Sequence, residues 1–267
     1  MYAFAYHRVD TARKAVNLAA KTEDAKFLAG GMTLLPTMKQ RLASPPALID
    51  LGRADDLRGV ELKGRTLVIG AMTRHFEVAN SPLVREKIPA LADLAGMIGD
   101  PAVRHRGTIG GSVANNDPAA DYPSACLALN ATIITNKRKI PADDYFKGLF
   151  ETALEEGELI TKIAFPIPAK AAYEKFRNPA SRYAIVGVFV AKKGKDVRVA
   201  VTGAGSEGVF RASRLEAALT ANFRPKGLDG LTYPATGLNT DIHADAEYRA
   251  HLIMVMARRA VAKALAK

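Results

Sequence analysis

The sequence predicts an α+β protein whose C-terminal third is a smaller unit built on an antiparallel sheet with helices. Three observations carry that expectation. Short apolar runs alternate with helical patterns over residues 1 to about 50, a mixture of hairpin, helices and strands continues to "ELITKIAFPIP", and beyond "PIPAKA" (Pro166–Ala171) the pattern changes to longer strands. A chain of 267 residues is long enough for two domains or one large one.

"FAY" reads as an opening strand, "TARKAVNLAAKT" as a helix, "KFLAG" as a buried strand, "TLLPTMKQRL" as a helix and "ALIDLG" as a strand. "VELKGRTLVIGA" is a hairpin around Lys63-Gly64. Helical patterns over 73–80 and 88–98 precede a glycine-bearing loop. The helix "ADYPSACLALN", the strand "ATIIT" and the proline-ended strand "ELITKIAFPIP" follow. In the last third "AYEKFR", "YAIVGVFVAKK" and "DVRVAVTGAG" are strands, the last two joined by the turn "KKGKD". "SRLEAALTANF" and "AEYRAHLIMVMARRAVAKAL" are helices, separated by a loop-rich stretch.

Several function classes lose support from composition. Cys126 is the only cysteine, so an internal disulfide is impossible and the chain alone lacks the thiolates of an iron–sulfur cluster. His7, His75, His105, His243 and His251 are scattered without metal-ligand spacing. The net charge of +11 is spread along the chain and accompanies no nucleic-acid-reading motif, so a solvated surface attractive to anions is the expectation. The longest apolar run, "AIVGVFVA", is far too short to span a bilayer, and the N-terminus lacks the pattern of a secretory signal. A cytoplasmic location, including the inner face of a membrane, is expected.

The chemistry is concentrated in glycine turns. In "FLAGGMTLLPTMKQRL", Gly30 and Gly31 can bring bare backbone close to a ligand, and the helix starting near Thr33 offers N–H groups without intrahelical partners. Such a turn is an anion site, although a Gly-Gly before a helix is often plain geometry. Leu34, Leu35, Met38 and Leu42 are expected to anchor that helix. A second turn, "RGTIGGSVANNDPAADYPSACLAL", sets glycines around Thr108 and Ile109 and continues to Ser112, with Asp117-Pro118 as a possible N-cap and N1. Two such turns suit two linked phosphates. Asp121 then reads either as an acceptor for a sugar hydroxyl or as a helix N-cap. "GAGSEG" (Gly203–Gly208) matches G-x-G-x-x-G, but it follows a hairpin arm rather than opening a parallel βαβ unit, so a sheet-edge turn is expected.

"AGGMTLLPTMKQRL" and "GTIGGSVANNDPAADYPSACLALNA" closely resemble the two FAD loops of the flavin-carrying medium subunits of molybdenum hydroxylases, the carbon monoxide dehydrogenase type in particular. The resemblance extends over essentially the whole chain. It implies a two-part FAD-binding domain of the vanillyl-alcohol oxidase (PCMH) type over 1–168, with parts of about 1–52 and 53–168, and a C-terminal domain over 169–267. It further implies that Ala29, Gly30, Gly31, Met32, Thr33 and Leu34 bind FAD together with Thr108, Ile109, Gly110, Gly111 and Ser112, the pyrophosphate being held through backbone N–H groups. Asp121 falls where the family contacts the ribityl or ribose part. Tyr183 matches a tyrosine lying against the isoalloxazine, or else packs its ring in the core. Ile98, Val103, Leu159 and Ile160 are further candidates for ring contacts, and His105 carries no sign of a covalent link, so the FAD is expected to be non-covalent.

The same resemblance implies partners: a small [2Fe–2S] subunit, a large molybdopterin subunit and a dimer of such heterotrimers. No nucleic acid is expected among them. No nucleophile, paired general base or metal site is found in the sequence, which suits a protein whose redox chemistry belongs to its cofactor. A free-standing FAD-dependent oxidase or reductase and a non-redox module with a basic surface stay open as alternatives at this point.

Overall fold

A computed structural model describes residues 1–266. It begins with β1 (Ala5–Arg8), α1 (Ala12–Ala19), β2 (Lys26–Leu28), α2 (Leu34–Lys39) and β3 (Ala47–Asp50). The strands form a parallel sheet in the order β1-β3-β2. Ala47, Leu48 and Ile49 are buried, as the apolar central strand of a parallel sheet should be. Thr11 opens α1 by accepting from the Lys14 amide at 3.3 Å, and Ala15 drops into a small core with Val9, Ile49 and Leu57.

Two expectations fail in this part. β2 is a half-exposed edge strand, not a buried one. α2 ends at Lys39 because Arg41 adopts φ 62°, which throws Leu42 off the apolar face to 76% exposure. Met38 alone of the four expected anchors is fully buried, with Leu34 and Leu35 half-buried.

The middle of the chain opens with the hairpin β4 (Val60–Lys63) and β5 (Thr66–Gly70), with Gly64 at φ 59° in its turn. Short helices follow: α3 (His75–Asn80), α4 (Pro82–Lys87), α5 (Pro89–Gly96), α6 (Pro101–Arg106), α7 (Ile109–Asn115) and α8 (Tyr122–Ala128). α4, α5 and α6 each start on a proline, where the missing N–H breaks no helical bond. The glycine-bearing stretch read as a loop is therefore largely helical. Asp100 caps α6 by accepting from the Val103 amide at 2.9 Å, and Thr108 caps α7 through the Gly111 amide at 3.1 Å. Asp117-Pro118 does not start α8; the Asp117 carboxylate accepts from the Ala119 amide at 2.8 Å in a local turn instead.

Then come β6 (Thr132–Thr135), β7 (Lys139–Pro141), α9 (Ala142–Tyr145), β8 (Phe146–Gly148), β9 (Glu151–Thr152) and β10 (Ile160–Pro166). An antiparallel sheet runs β4-β5-β10-β6-β7, and β8 and β9 form a separate ribbon. Asn116, left-handed at φ 44° beyond the end of α7, holds that ribbon by donating to the Gly148 and Glu151 carbonyls, each at 2.8 Å.

The chain closes with β11 (Lys170–Arg177), β12 (Ala184–Lys193), β13 (Asp196–Thr202), β14 (Phe210–Arg211), α10 (Ser213–Ala221) and α11 (Ala246–Ala266). The strands form an antiparallel sheet in chain order. Tyr173, Phe189, Ala191 and Ala200 on one face join the core that contains Tyr122, Cys126 and Ile163. Val186, Val188, Val190, Val199 and Val201 on the other face pack on Leu215 and Leu219 of α10 and on Leu252, Ile253 and Met256 of α11. The alternation is the two-residue period of a strand covered on both sides, which explains why "AIVGVFVA" is apolar throughout. Gly203 turns at φ 83° where a Cβ would lie 2.3 Å from the Ala184 carbonyl oxygen, and "GAGSEG" leads into β14, an antiparallel sheet turn as expected. No helix among the described residues is long and apolar enough to cross a membrane.

Candidate functional site

The two glycine turns meet back to back. A Cβ on Gly30 would lie 2.2 Å from the Arg106 carbonyl oxygen and 2.7 Å from Gly107 Cα. One on Gly111 would lie 3.5 Å from Ala29 Cβ, and one on Gly110 would lie 2.5 Å from Ala71 Cβ. Gly31 has φ 73°, a conformation glycine adopts freely. Close approach of backbone to backbone thus requires glycine at Gly30 and Gly110, while a Cβ on Gly111 would crowd only the Thr108 hydroxyl, at 2.9 Å. Both turns open on one cavity of about 660 Å³, whose walls continue through β2, the end of α5, the segment before β10, and the loop from Ser181 to Tyr183.

The turns differ in what they offer a ligand. Among the described residues, the amides of Gly30, Gly31, Met32, Thr33 and Leu34 donate to no protein acceptor, and all five residues line the cavity, as does Ala29. The second turn has spent most of its donors. The Ile109 amide bonds the Thr73 carbonyl at 3.1 Å, Gly110 bonds Ala71 at 2.8 Å, and Ser112 bonds the Thr108 carbonyl at 3.0 Å. The Gly111 amide is taken by Thr108 Oγ1. Of the expected amide cradle on this side, only the Thr108 amide is without a protein acceptor among the described residues. Thr108, Gly110, Gly111 and Ser112 still line the cavity, with the Thr108 and Ser112 hydroxyls as donors, whereas Ile109 is wholly buried and outside the wall. The helices behind the turns have six and seven residues, so free N–H groups matter here more than any long helix dipole.

Asp121 lines the same cavity but is no side-chain cap; its carboxylate makes no cap bond. It accepts from the Tyr173 hydroxyl at 2.5 Å and from Lys175 Nζ at 2.9 and 3.1 Å. The Lys175 ammonium also donates to the Met97 carbonyl at 3.1 Å, tying β11 to the end of α5. Burial pushes the Asp121 carboxyl above the usual carboxylate range, against the pull of Lys175 and the Tyr173 hydrogen bond. Tyr173 and Lys175 escaped the sequence reading. The available signal was a lysine two residues after a tyrosine on the inward face of an apolar strand.

His75 was read only as one scattered histidine, yet it too lines the cavity. Its imidazole lies under the second turn, where a Cβ on Gly107 would sit 2.5 Å from Nε2. Burial, with the nearby Arg104 charge, lowers its pKa to about 4, so the ring is neutral at neutral pH. His75 Nδ1 and the Tyr122 hydroxyl are both buried without a partner among the described residues, their rings 5.4 Å apart.

Tyr183 is 46% exposed at the cavity mouth, so its ring does not pack in the core. The turn before it is built by Asn178, whose side-chain oxygen accepts from the Ala180 and Ser181 amides at 2.9 and 3.1 Å. Ile98, Val103, Leu159 and Ile160 all line the cavity and give it an apolar flank. His105 does not line it; the ring stacks on Phe76 at 4.2 Å and contacts the Pro101 carbonyl. A loop of free amides, adjacent hydroxyls, a buried carboxylate and an apolar flank fit a dinucleotide with two linked phosphates, a sugar chain and a flat ring.

Known proteins agree with this chemistry. Residues 2–168 match the family described as FAD binding domain in molybdopterin dehydrogenase. The carbon monoxide dehydrogenase medium chain of Hydrogenophaga pseudoflava is 36% identical, over 99% of this chain and 98% of its own length. The nicotine 6-hydroxylase medium subunit of Paenarthrobacter nicotinovorans is 35% identical, over 95% of this chain and 94% of its own. Among solved structures, reconstituted CO dehydrogenase from Oligotropha carboxidovorans superposes with a TM-score of 0.89 at 35% identity, covering 99% of this chain and 98% of that one. Quinoline 2-oxidoreductase from Pseudomonas putida 86 gives 0.86 at 28% identity, covering 98% and 97%. The α+β fold and FAD as cofactor, both expected from the sequence, hold. The chain belongs to the family of FAD-binding domains of molybdopterin dehydrogenases.

Proposed function

We propose that this chain is the electron-transfer flavoprotein subunit of a molybdenum hydroxylase, accepting electrons from a [2Fe–2S] subunit and passing them to an external acceptor. The observation that carries the proposal is the meeting of two glycine turns on one cavity with the amides of residues 30–34 free. Those amides hold the diphosphate, with the Thr108 and Ser112 hydroxyls opposite. Asp121, kept in place by Tyr173 and Lys175, accepts from a sugar hydroxyl, and Tyr183 covers the ring at the mouth. When bound, FAD supplies the redox chemistry, taking up electrons and releasing them in separate steps. No side chain here is asked to form a covalent bond, and the cofactor dissociates. In this reading residues 1–168 are the cofactor domain and 169–267 a second domain that contributes Tyr183 and Lys175. The substrate-oxidising centre lies on a large molybdopterin subunit, and heterotrimers pair.

Purification from the native host under mild conditions tests the assignment. Flavin, iron and molybdenum running together through gel filtration in constant ratio is the expected result. A flavin-containing chain that runs alone and turns over a substrate without either metal would instead make it a free-standing oxidase or reductase.

A further inference from the structure

Asp117 sits in the turn between α7 and α8 and lines the large cavity together with Ser181 and Tyr183. One of its carboxylate oxygens accepts from the Ala119 amide at 2.8 Å, which fixes the side chain in that turn. The other meets no protein donor among the described residues and is not sealed from solvent, so it opens on the cavity space. Its charge is felt at the cavity mouth: burial raises the Tyr183 hydroxyl, and the Asp117 and Asp121 carboxylates add to the rise. The other carboxylates nearby are matched. Asp121 pairs with Lys175 at 2.9 Å, and Asp241 pairs with Arg249 at 2.6 Å. Of the remaining titratable groups on neighbouring elements, Arg182 borders the same cavity, as does the neutral ring of His75, and His243 borders a smaller space of about 300 Å³ that Asp117 also lines. None of them offsets the Asp117 charge: burial raises its carboxyl above the usual carboxylate range, and only the Ala119 amide bond pulls the other way. Asp117 is therefore a carboxylate without a countercharge on the wall that leads to Tyr183.

We propose that Asp117 sets the reduction potential of the bound flavin, its carboxylate charge opposing the arrival of electrons on the ring. The inference rests on the reading that the large cavity holds FAD with its ring near Tyr183. Electrons bring negative charge to that ring, and the field of a half-buried, unpaired carboxylate is only partly screened there. Asp121 lines the same cavity but is neutralised by Lys175, so it holds a sugar hydroxyl without biasing the ring. Asp117 thus lowers the potential and makes the loaded chain a readier donor to the next acceptor. No bond forms or breaks at Asp117; its effect is that of a fixed charge. The effect is linked to pH. Above its raised pKa the carboxyl is ionised and depresses the potential; as pH falls through that pKa it takes up a proton, and the depression disappears.

The test uses the full chain loaded with FAD, its midpoint potential measured by spectroelectrochemical titration from about pH 8 down to about pH 5, a span that brackets a raised carboxyl. Asp117→Asn and Asp117→Ser both remove the charge and keep an acceptor for the Ala119 amide, so failure of one to fold leaves the other. Each variant is used once its flavin absorbance matches wild type. At the alkaline end the variants should hold more reduced flavin at a given potential. The expected rise in the reduced-to-oxidised ratio is at least about tenfold, about 30 mV for a two-electron couple. That difference should shrink toward the acid end, where the wild-type carboxyl is itself neutral, and Asp117→Glu, which keeps the charge, should follow wild type. Equal potentials at the alkaline end overturn the assignment. So does a difference that stays constant across the range, which marks altered packing rather than a lost charge. A wild-type chain that takes up no FAD at all overturns the reading of the large cavity, and this inference with it.

Discussion

Gly30 is the position where one added methyl group does the most damage. The atom it would meet is backbone, the Arg106 carbonyl oxygen at 2.2 Å, so neither turn can yield without moving the other. Gly30→Ala should destabilise the chain by about 1–3 kcal/mol in urea unfolding, as overpacking does, and weaken FAD binding at least about tenfold. Gly64→Ala is the control: its φ is 59° but a Cβ there meets nothing within 4 Å. It should lose only about 1 kcal/mol of stability and keep wild-type FAD affinity. Equal FAD affinity in the two variants would remove the close contact of the turns from the account. His75 sets a second expectation at this scale. Its pKa falls from 6.5 to about 4 on folding, so the unfolded chain binds a proton that the folded chain refuses between those values. Stability should therefore decline as pH drops from 6.5 toward about 4, by up to about 3 kcal/mol for this group. His75→Gln should flatten that limb in urea titrations across the range; an unchanged slope would mean the ring is not held neutral.

At the scale of elements, the buried pair of Asp121 and Lys175 joins α8 and the end of α5 to β11. Lys175→Met leaves a carboxylate in the wall without its countercharge and should destabilise by about 3–5 kcal/mol. Adding Asp121→Asn should recover part of that loss. A double-mutant cycle in urea that gives strictly additive effects would contradict the pairing. What the sequence disclosed of these elements follows from physics. β12 and β13 are long and apolar with a glycine turn between them, so periodicity found them; the glycine turns announced themselves because few residues fit there. β7 to β9 were not foreseen, being two or three residues each and too short to show a period. α7 hides behind its two glycines, and its cap, Thr108, was read as part of a loop. Asp121 was singled out, but Tyr173 and Lys175 lie 52 and 54 residues away, and only the packing of the third sheet against α8 brings them to it.

At the scale of the molecule, three sheets contribute to one cavity. The parallel sheet supplies the free amides beyond β2, the middle sheet supplies the flank before β10, and the third sheet supplies Lys175 beneath the wall and Tyr183 at the mouth. Much of this was visible as residue types and could not be seen as geometry, since the second turn's amides look free in the sequence and those of residues 109–112 are bonded in the fold. The functional claim therefore concentrates on an asymmetry: the first turn grips the diphosphate with amides while the second packs behind it and adds hydroxyls. A crystal structure of the FAD-loaded chain tests this most directly. The account predicts phosphate oxygens within hydrogen-bonding distance of amides between Gly30 and Leu34, with Thr108 or Ser112 on the other side. A diphosphate bound away from the first turn, with those amides facing water, would contradict it.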